Sequence, residues 1–185
     1  GLRKTPPEAT AEALAIGAHA SAVLEGSTST LEEVAAGQGD EIAQDSLRVS
    51  AMALSLTPLM QQAPLQALAR LHSVAASGAL GQEQLGRPRN AEAAARLQGV
   101  GELLLTSTET PALLVAACVH ADIATAMPFA SHNGIVARAA ERLVLIARGV
   151  DAKSLMVPEA GHLALRPQYE SNLRAYTEGS QRGIH

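Results

Sequence analysis

Apolar positions recur at three- and four-residue spacing along most of the chain, the period of amphipathic helices. Pro6, Pro7 and Glu8 suit a first helical turn, where proline is tolerated and acid complements the macrodipole. Ala13, Ile16, Ala20, Val23 and Leu24 then form a stripe that predicts a helix to about Glu25, ended by Gly26. Thr30 and Glu33 have the spacing of a capping box, and Gly37 closes the short helix they start. A longer helical pattern runs from Asp40 to about Met60, with Pro58 expected to kink or end it. Pro64 opens a further helix whose stripe is Leu65, Leu68, Leu71, His72 and Ala75.

Glycine, glutamine and Pro88 mark residues 78–90 as a loop. The stretch 91–106 reads either as a helix or as a short hairpin, because Gly99 and Gly101 interrupt it. Residues 110–127, with Thr110 and Pro111 at the start, are apolar nearly all round and predict the central buried helix. Residues 128–134 break it, and a helix with Ile135, Arg138, Ala139 and Arg142 on one side runs on to Gly149. A last helix is expected over 167–178, with Tyr169, Leu173 and Tyr176 at packing spacing. The expected fold is an all-α single domain over residues 1–185, with at most a short β-hairpin flap.

Composition narrows the picture. The chain has 185 residues, 47% of them hydrophobic and 17% charged, enough apolar surface for a buried core. Two tyrosines, one phenylalanine and no tryptophan leave little with which to build a sheet. A net charge of −4 without a basic stripe argues against nucleic-acid binding. The lone Cys118 lies in an apolar run and fits a reducing compartment. No apolar run approaches the roughly 20 residues of a membrane span and no signal peptide opens the chain, so a cytoplasmic location away from membranes is expected. A start at Gly1 without methionine and an end at Gly183, Ile184 and His185 look like fragment edges.

Candidate chemistry is sparse. No two histidines share the spacing of HExxH, and the phosphate-loop, dinucleotide-loop and GxSxG patterns are absent, so the sequence points to no metal set and no familiar hydrolase. Gly99 and Gly101 are a GxG fragment that reads as a turn. The segment Met127, Pro128, Phe129, Ala130, Ser131, His132, Asn133 and Gly134 is different, because it leads straight into a helix that carries Arg138. Such an N-terminus presents unpaired N–H groups and positive potential to a phosphate or carboxylate. A plain corner between two helices is the other reading.

The string MPFASHNGIVAR, residues 127–138, resembles the signature HPFx(D/E)GNGRxxR of the Fic/Doc (Fido) family, most of whose characterised members transfer AMP or another nucleotide fragment to a protein hydroxyl. Pro128, Phe129, Asn133, Gly134 and Arg138 match, and His120 stands where the family often has a histidine. Ser21, Ala22, Val23, Leu24, Glu25 and Gly26 are similar to the family's inhibitory-helix motif (S/T)xxxE(G/N). LQALARLH and LGRPR resemble its LxxLH helix and the segment leading to its target-binding flap.

The resemblance implies an anion or nucleotide site at Asn133, Gly134 and Arg138, and an inhibitory role for Ser21, Glu25 and Gly26. The implied ligand is ATP or another phosphate-bearing molecule, and the implied partner a protein target. The departures imply lost catalysis. Met127 stands at the catalytic histidine and has no usable basicity. Ser131 stands at the acidic residue, so Mg²⁺ would be poorly held. Ile135 stands at an arginine, and His132 at a glycine of the anion-binding turn. His132 is the one remaining candidate base. The expectation is a Fic-like protein with a degenerate active site that acts by binding a partner or a weakly held small anion or nucleotide. An active nucleotidyl or phosphoryl transferase using non-standard residues, and a purely structural helical module, are the rival readings.

Overall fold

The computed structural model describes residues 7–179, and every regular element among them is a helix. Helix α1 spans Pro7–Leu24, with Glu8 in its first turn. It ends in a glycine cap: Gly26 has φ +98°, its N–H reaches Val23 O and that of Ser27 reaches Ala22 O. The predicted capping box forms as expected, with Thr30 and Glu33 bonding each other's backbone N–H at the start of α2 (Leu31–Ala35). Asp40 caps α3 (Glu41–Ala53) and also accepts both N–H and O–H bonds from the turn that ends α1. Asp40 thereby ties the turn after α1 to the start of α3.

The long helix expected over 40–60 divides. A 3₁₀ turn at Leu54–Leu56 separates α3 from α4 (Thr57–Gln62), and Pro58 sits in the first turn of α4 instead of ending a helix. Proline lacks the N–H that a helix interior needs, and a new N-terminus is where that lack costs nothing. Helix α5 (Pro64–Ala75) starts at its proline as predicted. The stretch 91–106 is a continuous helix, α6 (Ala91–Thr106), capped by Asn90, so the hairpin alternative is set aside and no flap strand occurs among the described residues. Gly101 has a packing reason there, since a Cβ at that position would press on the Leu65 side chain.

Helices α7 (Ala112–Ala126) and α8 (Asn133–Ala147) form the central antiparallel pair. The expectation that α7 is the buried centre is corrected. Its Leu113 and Leu114 are exposed, whereas eleven residues of α8, from Ile135 to Ile146, are buried. The main core gathers Leu68, Leu71, Val119, Ile123, Phe129, Val136 and Leu143 around α8. A smaller cluster of Ala18, Ala22, Val34 and Ala43 joins α1, α2 and α3. Two further helices close the chain, α9 (Pro158–Ala164), which the pattern did not reveal, and α10 (Arg166–Thr177), one residue from its expected start. No helix of the described residues is long and apolar enough to cross a membrane.

Helix α8 buries two arginines, and both reach toward α1. Arg142 donates to the hydroxyl and carbonyl of Ser154 and to Ala13 O, and its Nη1 lies 3.7 Å from Glu159. A Cβ at Gly17 would collide with this guanidinium and crowd the Glu159 carboxylate, so glycine is what lets α1 approach the pair. Burial pushes the Glu159 carboxyl up, while the Arg142 charge pulls it back. Replacing Arg142 with methionine should therefore leave Glu159 buried without its cation and cost about 3 kcal/mol or more. Urea unfolding of Arg142→Met against the parent measures this, and a loss below about 1 kcal/mol would contradict the assignment.

Candidate functional site

The loop between α7 and α8 is built by two left-handed residues. Met127 ends α7 at φ 44° with its side chain exposed, and His132 stands before α8 at φ 57°. A non-glycine residue in this region is uncommon and has to be held there by its surroundings. Here the His132 ring is gripped from both sides: Nδ1 lies 2.7 Å from Ser131 Oγ and Nε2 lies 2.9 Å from Asp45 Oδ2 on α3. Asp45 is buried and also pairs with Arg48. The ring expected to intrude on the anion-binding turn is thus held in a bridge to α3.

The loop interior is equally constrained. Asn133 accepts from Phe129 N–H through Oδ1 and donates to Phe129 O through Nδ2, so its side chain closes the loop on itself. Buried Phe129 stacks on His72, with centroids 4.2 Å apart and planes 8° from parallel. His72 Nδ1 accepts from Gly86 N–H at 2.9 Å. Arg89 completes the clamp by donating to Met127 O and Ala126 O, the carbonyl end of α7, where a cation is favoured. The segment 86–89 is in this way fastened to the loop.

The first turn of α8 faces the end of α1. Arg138, 2% exposed, donates through Nε to Ser21 Oγ, through Nη2 to Ser21 O, and through Nη1 to Tyr169 Oη. Its Nη2 also lies 2.6 Å from Glu25 Oε1. A Cβ at Gly134 would run into that same carboxylate. Glu25 therefore occupies the N-terminal end of α8, where the macrodipole and Arg138 both favour negative charge.

Beside this centre lies a second polar cluster. His120 Nδ1 and His162 Nε2 lie 2.5 and 2.7 Å from Glu141 Oε2, and His120 Nε2 lies 2.9 Å from Tyr169 Oη. Burial pushes the His120 imidazole down, against the Glu141 carboxylate that favours its charge. Burial alone would raise the Glu141 carboxyl, but hydrogen bonds from His120 and His162 and their charge hold it down at about 2.

No protein-family model matches this sequence, and no curated protein matches it. Solved structures do. A Fic family protein from Desulfovibrio desulfuricans superposes with a TM-score of 0.76 at 19% identity, over 94% of this chain and 60% of its own. Fic-1 from C. elegans gives 0.75 at 16% identity, over 99% of this chain and 61% of its own. The fold is that of Fic proteins. A variant of the same Fic-1 fragment superposes at 0.61 and 17% identity, over 89% of this chain and 62% of its own. The chain spans about three fifths of the length of these Fic structures.

Within this Fic fold, Met127 and His132 lie in the loop before α8, Asn133 and Gly134 in its first turn and Arg138 in its second, and Ser21 of α1 and Glu25 of the following turn bond Arg138, whereas Gly26 takes part only as the cap that ends α1. Asn133 contributes loop closure through its side chain rather than a free ligand group. His120 is buried, as expected of a core histidine, but its partner is a carboxylate. Asp45, Glu141 and His162 escaped sequence reasoning, since none falls within a recognised motif, and Tyr169 was read only as a packing residue.

Two outcomes follow from this geometry. Arg138 is buried and Glu25 is 33% exposed, so their coupling should fall between the ~1 kcal/mol ceiling of exposed pairs and the ~3 kcal/mol of buried ones. A double-mutant cycle with Glu25→Gln and Arg138→Met reads it, and strictly additive losses would contradict the pairing. Burial, with the nearby His132 charge, pushes His72 from 6.5 down to about 4. The stability of this neutral imidazole is complete above pH 6.5 and is lost as pH falls toward about 4, because the unfolded chain takes up the proton first. Urea midpoints should drop over that range, and less steeply in His72→Gln; equal slopes would rule His72 out as the source.

Proposed function

We propose that this Fic-fold protein does not transfer AMP and acts as a binding protein whose anion cradle is closed by its own Glu25. The observation that carries the reading is the Glu25 carboxylate seated on Arg138 and against Gly134, where a ligand phosphate would meet the α8 N-terminus. The residues opposite that cradle support it. Met127 offers a thioether where a transferase needs a base, and Ser131 a neutral oxygen where Mg²⁺ needs a carboxylate. Phosphoryl chemistry depends almost wholly on positioning and charge stabilisation, and Ile135 supplies neither.

The ligand of this cradle is a small anion or a nucleotide phosphate, held weakly while Glu25 competes for the same cation and N–H groups. Removal of the carboxylate frees them. Phosphate-bearing ligands, ATP among them, should bind Glu25→Ala about tenfold more tightly than the parent, a difference of ~1.4 kcal/mol, and Arg138→Ala should abolish the gain.

A second reading, an active transferase with a relocated base, draws on one specific contact. His132 is oriented by Asp45 at 2.9 Å, the arrangement by which a carboxylate sets an imidazole for proton transfer. Incubation with labelled ATP, Mg²⁺ or Mn²⁺ and a cell lysate separates the two readings. Label no higher than in a boiled control is the expected outcome, and incorporation that disappears in His132→Gln would establish the second reading instead.

A further inference from the structure

Away from the α8 N-terminus, three metal-ligating side chains from three helices converge on one point. His120 comes from α7, Glu141 from α8 and His162 from α9, and their donor atoms all lie within 4.8 Å of one another. We infer that His120, Glu141 and His162 form a binding site for one divalent cation of the zinc class, with a coordination position open to the cavity beside α10.

The donor set fits that chemistry. Two imidazoles and one carboxylate suit zinc and its neighbours, whereas Mg²⁺ and Ca²⁺ take oxygen ligands. All three side chains are largely withdrawn from water, at 4%, 13% and 25% exposure for His120, Glu141 and His162. A tetrahedral ion with bonds of ~2.0–2.1 Å separates its ligand atoms by ~3.3 Å. The two imidazole–carboxylate contacts, now 2.5 and 2.7 Å, would then widen by under about 1 Å, while the two imidazole nitrogens, which lie within 4.8 Å of each other, would close by up to about 1.5 Å. That is a side-chain adjustment and asks nothing of the helices.

The surrounding groups orient the first ligand. Tyr169 Oη lies 2.9 Å from His120 Nε2, the nitrogen that does not face Glu141, and accepts a hydrogen bond from Arg138 Nη1 at 3.2 Å. With Nε2–H donated to this oxygen, Nδ1 keeps its lone pair for the cation. Fixing the tautomer through the outer nitrogen is how metal-bound histidines are commonly held. The three ligands also line a cavity of about 370 Å³, shared with Leu165, Leu173 and Tyr176. Three protein ligands beside an open space leave the fourth position to water or to an oxygen donor on a small, partly apolar molecule.

The three ligands are not residues of the Glu25 cradle, although Tyr169 touches both, so the test needs no nucleotide and no transfer reaction. Chelator-stripped full chain is titrated with Zn²⁺ against a chromophoric competitor, and with Co²⁺ for its visible absorption. One equivalent should bind with a dissociation constant at or below the micromolar range, and millimolar Mg²⁺ should not compete. Zinc at about 100 times that constant should raise Tm by about 5–10 °C. His162→Gln and Glu141→Gln should each weaken binding at least 100-fold, and Tyr169→Phe about tenfold. His162 is a quarter exposed, so its replacement leaves the core intact, and helix content by circular dichroism verifies this. No stoichiometric uptake, or uptake unchanged in both His162→Gln and Glu141→Gln, would overturn the site.

Discussion

A guanidinium in the middle of the most buried helix sets the terms for the rest of the structure. Arg138 carries a charge that cannot be discarded, and at 2% exposure water does not satisfy it. Four partners do so: the hydroxyl and carbonyl of Ser21, the Tyr169 hydroxyl and the Glu25 carboxylate. Ser21 lies on α1, Glu25 in the turn that ends it and Tyr169 on α10, so satisfying one side chain fixes α1 and α10 against α8. Arg142, one turn further along, repeats the device with Ala13 O, Ser154 and Glu159. The N-terminal helix meets α8 through these polar groups and packs on α2 and α3 through Ala18 and Ala22, and Gly17 leaves room for the Arg142 guanidinium.

The same arrangement explains why the cradle at Gly134 is occupied. The glycine cap of α1 ends the helix at the point where Glu25 reaches the N-terminus of α8. There the carboxylate meets Arg138 and the unpaired end of a helix dipole together. An external anion has to displace a group that is tethered and therefore always present. Around it, Asn133, Phe129, His72 and Arg89 hold the loop in one shape, and Asp45 keeps the His132 ring in place. The site reads as rigid and self-satisfied.

Much of the architecture was legible from local signals. Thr30 with Glu33, Pro64 and Gly26 marked helix ends because caps are short-range chemistry. Pro58 marked the break at the 3₁₀ turn before it, but as the start of α4 and not as the end of a helix, because a proline that ends one helix and one that begins the next look alike in a continuous apolar pattern. Helix α9 was missed because seven residues are too few to show a period. The prominence of α7 over α8 was misjudged for a physical reason. Arg138 and Arg142 make α8 look amphipathic, although both charges are buried and paired. Glu25 and Arg138 lie 113 residues apart, and their proximity came only from a family resemblance. The resemblance marked His120 but not Asp45, Glu141 or His162, because these side chains meet their partners only when separate helices pack.

The central claim is that Glu25, and not an external ligand, occupies the N-terminus of α8. The most direct measurement is the amide ¹H–¹⁵N shift of Gly134 and Ile135 during titration with inorganic phosphate, in the parent and in Glu25→Ala. Small, unsaturated shifts in the parent and saturable shifts at both amides in Glu25→Ala are the predicted result. Equal saturation in the two proteins, or no response at Gly134 once the carboxylate is gone, would contradict the account.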